Sequence, residues 1–155
     1  MTTVPPAPAA PLDAPLYGAS FGQAISRFWS KYATFSGRAS RSEFWWSYLF
    51  LVIVSTVLYI LLLVGITSGG VTTDATTGAA VLNPSPFGII MTIVYVVWGL
   101  AVLVPTLAIS WRRLHDTNRS GGFWFLGLIP LVGGIIVLVF FILESDPAGA
   151  RFDRR

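Results

Sequence analysis

The chain has no cysteine among its 155 residues, which excludes disulfides, thiolate nucleophiles and cysteine-ligated metals. It has one histidine, His115, and a metal site there would need two or three further ligands. Charge is scarce as well: Asp, Glu, Lys and Arg make up 11% of the chain, against roughly 25% in an ordinary soluble domain. Lysine is nearly missing, with Lys31 standing beside nine arginines. Basic chemistry therefore falls to the residue whose planar fork grips phosphates and carboxylates in two places.

What fills the chain instead is apolar surface. Hydrophobic residues make up 54% of it, and the mean hydropathy is +0.72. Three uncharged apolar runs, 44–66, 87–111 and 123–143, each exceed the ~18 residues that suggest a bilayer-spanning helix. These observations predict an all-α membrane protein with three transmembrane helices, the second and third kinked by Pro105 and Pro130, plus an N-terminal amphipathic interfacial helix. Residues 1–19 read as a disordered Pro/Ala-rich tail and 20–155 as a single membrane domain. The net charge of +3 and pI near 9.7 would point to nucleic acid in a soluble protein. Here the basic residues flank the apolar runs, which fits contact with anionic lipid and control of topology and gives no reason to expect nucleic acid.

Apolar residues at helical spacing predict the interfacial helix over 21–35, with Ser20 as its cap and Gly37 beyond its end. Its polar face carries Arg27 and Lys31, which places it in the headgroup layer or packs it on the ends of the other helices. Ser40 and Glu43 have the spacing of a capping box at the start of the first span. Trp45 and Trp46 follow as interfacial anchors, and Trp111 and Trp124 play the same part at the later spans. The loop 67–86 has one acid, Asp74, and no Lys or Arg, and reads as a mobile linker. Against Arg27, Lys31, Arg38 and Arg41 before the first span, that puts the N-terminus in the cytoplasm. Three crossings would leave the C-terminus outside, although the tail 144–155, with its balanced charges, neither supports nor opposes this. A re-entrant third run is the alternative.

Between the second and third runs lies the densest chemistry, Trp111-Arg112-Arg113-Leu114-His115-Asp116-Thr117-Asn118-Arg119-Ser120-Gly121-Gly122. Continued helix would put Arg112, His115 and Asp116 on one face, before a tight turn in which Asn118 tolerates a left-handed conformation. The two motifs, Gly37-Arg38-Ala39-Ser40-Arg41-Ser42-Glu43-Phe44-Trp45-Trp46 and Arg112 through Gly121, together resemble the domain of unknown function 805 family of small bacterial inner-membrane proteins. The resemblance covers roughly residues 21–152, including Ile129-Pro130 and Gly133. Two positions depart from its usual pattern: Asn118 stands where the family usually has Gly, and Gly122 where an aromatic residue is usual. The resemblance implies a multi-pass protein of the bacterial cytoplasmic (inner) membrane and supplies no catalytic residue.

Three functions compete. An enzyme would rest on His115 and Asp116 with arginines holding a phosphate, but adjacent helical residues point about 100° apart, and no nucleophile elbow or phosphate-cradling loop accompanies them. A channel or transporter component would ordinarily keep ionisable groups inside its spans, and the three runs have none. The favoured reading is an uncharacterised, non-catalytic lipid-binding or complex-associated module, with no cofactor and no metal. Its candidate headgroup- or partner-binding cluster is Arg38, Arg41, Glu43, Arg112, Arg113, His115, Asp116 and Arg119 at the cytoplasmic surface. The expected partner is membrane lipid, chiefly anionic phospholipid, and small residues in the runs leave room for a homo-oligomer or an accessory-subunit role. The same cluster could instead serve only to latch helix ends together.

Overall fold

The computed structural model describes residues 11, 12 and 14–153. Its elements run α1 (Phe21–Ser30), α2 (Arg41–Thr67), β1 (Val71–Thr73), β2 (Ala80–Leu82), α3 (Pro86–Asp116), a 3₁₀ segment (Gly121–Leu128), α4 (Gly133–Ile142) and a second 3₁₀ segment (Pro147–Phe152). The chain divides into two compact units, one made of Met1–Tyr48 with Val104–Arg155 and the other of Leu49–Leu103.

In the first unit, local chemistry sets the helix starts as expected. Ser20 and Gln23 form a reciprocal capping box at α1, and Ser40 and Glu43 do the same at α2, where the Glu43 N–H donates to Ser40 Oγ and the Ser40 N–H to Glu43 Oε2. The helix expected over 21–35 stops at Ser30 and packs inward through residues of both expected faces: Ala24 and Phe28 are fully buried and Arg27 and Lys31 are 7% and 4% exposed, whereas Phe21, Tyr32 and Phe35 are exposed. The reason is a charge partner, since Arg27 Nε reaches Glu43 Oε1 at 2.5 Å. A guanidinium with a buried carboxylate beside it gains more inward than in water. Residues 14–19, expected within the tail, bond to the same end of α2: the Leu16 N–H donates to Glu43 Oε2 and the Ala19 N–H to Ser42 Oγ. The rest of the expected tail, 1–10 and 13, lies outside the described residues.

The third apolar run differs most from expectation. It forms no continuous helix over 123–143; the 3₁₀ segment Gly121–Leu128 and the ten-residue α4 replace it. Pro130 cannot donate to a helical ladder, and Leu131 takes a φ of 68°, a left-handed value that ends any right-handed helix. Two helices, α2 and α3, are thus long and apolar enough to cross a membrane, and α4 is a third, shorter apolar helix. α3 runs unbroken through Pro105.

The second unit holds the apolar lengths of α2 and α3 and the segment joining them. Gly65 and Gly88 meet backbone to backbone, so a Cβ on either would collide with the other, and Ser85 donates from both its N–H and its hydroxyl to the Gly65 carbonyl. Trp98 Nε1 donates to Ser55 Oγ at 3.0 Å, giving a polar group of the span an internal partner. Val52, Ile53, Val57, Ile60 and Val64 of α2 and Ile89, Ile93, Val96, Val97 and Leu100 of α3 remain exposed, an apolar surface suited to lipid. The loop, expected as a plain linker, contains the antiparallel ribbon β1–β2. Its turn is closed by Asp74, whose carboxylate accepts from the N–H groups of Thr76 and Thr77 and is held below the usual Asp range by them.

The glycine contact generates a direct test. Gly65→Leu should lower stability in detergent by about 1–3 kcal/mol, the usual cost of forcing side-chain volume into a closed contact. Gly99→Leu, where a Cβ meets nothing, should leave the unfolding midpoint unchanged.

Candidate functional site

The motif residues gather where α2 begins and α3 ends. The Ala39 N–H donates to the Arg112 carbonyl at 3.0 Å, tying the strand-like entry to α2 onto the last turns of α3. Around that tie lies a buried ionic network. Asp116 is fully buried and both of its carboxylate oxygens are occupied: Oδ1 accepts from the Tyr17 hydroxyl at 3.1 Å, and Oδ2 accepts from Arg113 Nη1 and from Ser145 Oγ, each at 2.5 Å. Arg113, also fully buried, extends its remaining nitrogens to the carbonyls of Phe141, at 3.0 Å, and Leu143. These carbonyls close α4, where a cation is favoured by the helix dipole.

Glu43 is the second hub. Its Oε1 accepts from Arg27, and its Oε2 from the N–H groups of Leu16 and Ser40. Arg27 continues outward to the carbonyls of Pro11 and Ala14. His115 presents Nδ1 to the Gly37 carbonyl at 3.0 Å and stacks on Phe152 with ring centroids 4.1 Å apart and nearly parallel planes. A carbonyl oxygen only accepts, so Nδ1 carries the proton in that bond. Gly149 makes this close approach feasible, because a Cβ there would strike the His115 carbonyl.

The expected cluster is therefore assembled, with different pairings. Arg113, three residues from Asp116, takes the carboxylate that the sequence placed on one helix face with Arg112. Arg112 is 2% exposed, donates from Nε to its own helix at Ala108, and leaves Nη2 buried with no partner among the described residues. Arg38 pairs with Asp153 through two nitrogens, the shorter contact being 2.7 Å, and that hydrogen bond is the main cause holding its pKa above the usual Arg value. Arg41 reaches Glu144 at 3.3 Å, with both side chains well exposed. Arg119 donates to the Thr117 carbonyl and lies 4.3 Å over the ring of Phe140. Among the anchors, Trp46 is exposed and Trp45, Trp111 and Trp124 are partly so. Trp111 meets Phe35 and Phe125 edge to face and lies so close to Gly121 that no other residue fits there. Asn118 has the left-handed φ, 58°, that its place in the turn called for.

Residues not foreseen as members are Tyr17, Arg27, Ser145, Phe152 and Asp153. Only the acids of the C-terminal tail hinted at them, as carboxylates needing partners in a chain rich in arginine. Tyr17 has a pKa above the ordinary tyrosine value, first from burial and then from the Asp116 charge it faces. Tyr17, Gly18, Ser40, Arg41, Ser42, Glu144 and Ser145 line an open, largely hydroxylated cleft of about 420 Å³.

Two long apolar helices and a buried ionic network at their joined ends define a membrane protein. The chain belongs to the family described as protein of unknown function (DUF805), which it matches over residues 32–154 and thus across both motifs. Inner membrane protein YhaI of Escherichia coli (strain K12) is 31% identical over 121 residues, covering 78% of this chain and 84% of that relative. Inner membrane protein YhaH of the same strain is 35% identical over 121 residues, covering 78% and 85%. No solved structure matches the chain.

Two outcomes follow from the network. Arg113→Met, which strands the Asp116 charge, should cost about 3–5 kcal/mol of stability. Arg112→Met removes a guanidinium whose Nη2 is buried without a partner among the described residues and should cost clearly less, as read from unfolding midpoints in detergent. The Tyr17 bond has a pH window. A phenol with a raised folded pKa contributes fully below its unfolded value of 10.0 and loses that contribution as pH rises through the folded value. The stability gap between wild type and Tyr17→Phe should accordingly hold at neutral pH and close under alkaline conditions.

Proposed function

We propose that the protein is a non-catalytic module of the bacterial inner membrane, crossing it more than once with its N-terminus in the cytoplasm, and that it binds anionic phospholipid headgroups at the ionic end of its helices. The observation that carries the reading is the state of Arg41. It is the exposed arginine of the two motifs, it stands at the rim of the polar cleft, and its partner Glu144 is almost wholly in solvent. Such a surface pair is worth little, so a lipid phosphate can take its place.

The groups that acid–base chemistry would need support the non-catalytic half of the reading. Asp116 and Glu43 have both oxygens engaged, and His115 is held at Nδ1 and covered on one face by Phe152. Orientation rests on charge: seven basic residues, Arg27, Lys31, Arg38, Arg41, Arg112, Arg113 and Arg119, lie before or at the start of α2 or at and after the end of α3, and 67–86 has none.

Native mass spectrometry of the protein extracted gently from its own membrane tests this. Arg41→Gln should reduce retained phosphatidylglycerol roughly tenfold, the equivalent of one charge-assisted hydrogen bond of ~1.5 kcal/mol, without moving the unfolding midpoint. Retention equal to wild type would sink the headgroup reading.

A further inference from the structure

We infer that residues 121–143 form a re-entrant wedge that enters one leaflet from the α1 side, contacts its acyl chains, and returns, leaving the C-terminal segment on the same membrane face as α1. The inference does not depend on headgroup binding.

The first support is length. A continuous helix of these residues would be long enough to cross a hydrocarbon core of ~30 Å. The two arms present are the eight-residue 3₁₀ segment, about 16 Å long at ~2.0 Å per residue, and the ten-residue α4, about 15 Å long at ~1.5 Å per residue. Each reaches half of that thickness.

The second support is that the arms lie antiparallel against each other. Phe123 meets Phe140 edge to face at 5.9 Å at the base, Gly127 faces Val137 midway, and Gly133 is pressed against the Leu126 carbonyl near the tip. No ionisable side chain lies between Arg119 and Glu144. The tip bears Leu131 at 95% exposure, flanked by exposed Leu128, Ile129 and Val132. A side chain of that kind fully presented at the end of a hairpin has acyl chains as its natural surroundings.

Backbone chemistry at the tip gives the third support. Irregular backbone is tolerated at membrane depth only where its polar groups are satisfied. The Ile129 N–H donates to the Leu126 carbonyl, the Val132 N–H to Pro130 and the Gly133 N–H to Ile129, while Pro130 has no N–H to satisfy. The reversal thus closes much of its own hydrogen bonding.

Finally, the base of the hairpin is fixed at the site that joins α2 and α3. Arg113 holds the carbonyls of Phe141 and Leu143, the Asp146 N–H donates to the Asp116 carbonyl at 2.8 Å, the Gly37 N–H donates to the Phe152 carbonyl at 2.9 Å, and Asp153 pairs with Arg38. A third crossing would have to break every one of these contacts, because it would carry residues 143–153 across the membrane from their partners.

The absence of native cysteine makes the test clean. Single variants Ala33→Cys, Ala75→Cys and Ala150→Cys, all at exposed positions, are treated with membrane-impermeant maleimide in sealed vesicles of both orientations. Ala150→Cys should label in the same orientation as Ala33→Cys and lose its label in the orientation that exposes Ala75→Cys. Labelling together with Ala75→Cys would overturn the wedge in favour of a full crossing. A nitroxide at Leu131→Cys in phosphatidylcholine–phosphatidylglycerol bilayers should be relaxed by dissolved oxygen and shielded from a water-soluble nickel complex. Free access by the nickel complex would show a hairpin lying outside the lipid and would equally overturn the proposal.

Discussion

A carboxylate with no access to water must have both oxygens answered, and Asp116 is the point at which this chain meets that demand. Two distant stretches and its own helix turn answer it: Tyr17 from ahead of α1, Ser145 from beyond α4, and Arg113 from the same turn of α3, which also binds the closing carbonyls of α4. None of these stretches is long enough to bury a core by itself. The ionic centre adds to the small apolar core of Phe28, Phe44, Ile109 and Leu114 in the same unit. The arrangement has a price, since each member removed leaves another unpaired, and that interdependence makes the joined ends a single cooperative unit.

The near-exclusive use of arginine follows from the same demand. Arg113 serves one carboxylate and two carbonyls, and Arg27 serves Glu43 and the carbonyls of Pro11 and Ala14. A planar fork with five donors can bridge acceptors on separate segments, whereas an ammonium presents three donors from a single point. Lysine at position 113 would leave either the carboxylate or the end of α4 without its partner. Arg112, which has no such set of acceptors, shows how little the position within the motif alone determines: adjacent guanidiniums of one helix turn meet opposite circumstances.

Much of this was legible in the residues wherever the chemistry was local. The cap at Ser20, the capping box at Ser40, the left-handed Asn118 and the two long apolar helices follow from spacing a few residues apart. The cluster could be named as a cluster because both motifs flank apolar runs. Its pairings could not, because they depend on contacts across as many as 115 positions, as between Arg38 and Asp153. The placement of α1 stayed open between headgroup layer and helix ends for a related reason: periodicity defines two faces of a helix and cannot say whether Arg27 meets a buried carboxylate. The third apolar run was long enough for a span, and only the combination of Pro130 with an unfavourable φ at Leu131 turns that length back on itself.

The balanced tail carries structural information that charge counting does not. Asp153 and Glu144, together with Asp146, offset Arg151, Arg154 and Arg155, so the tail reads as neutral for topology. Yet those same two acids are partners for Arg38 and Arg41 of the first motif. Acids that cancel a positive-inside signal in the sequence act as locators in the fold, since an ion pair requires its members to share one side of the membrane. In a protein whose soluble segments are short, the pairing of charges across distant stretches is therefore stronger evidence of sidedness than their sum.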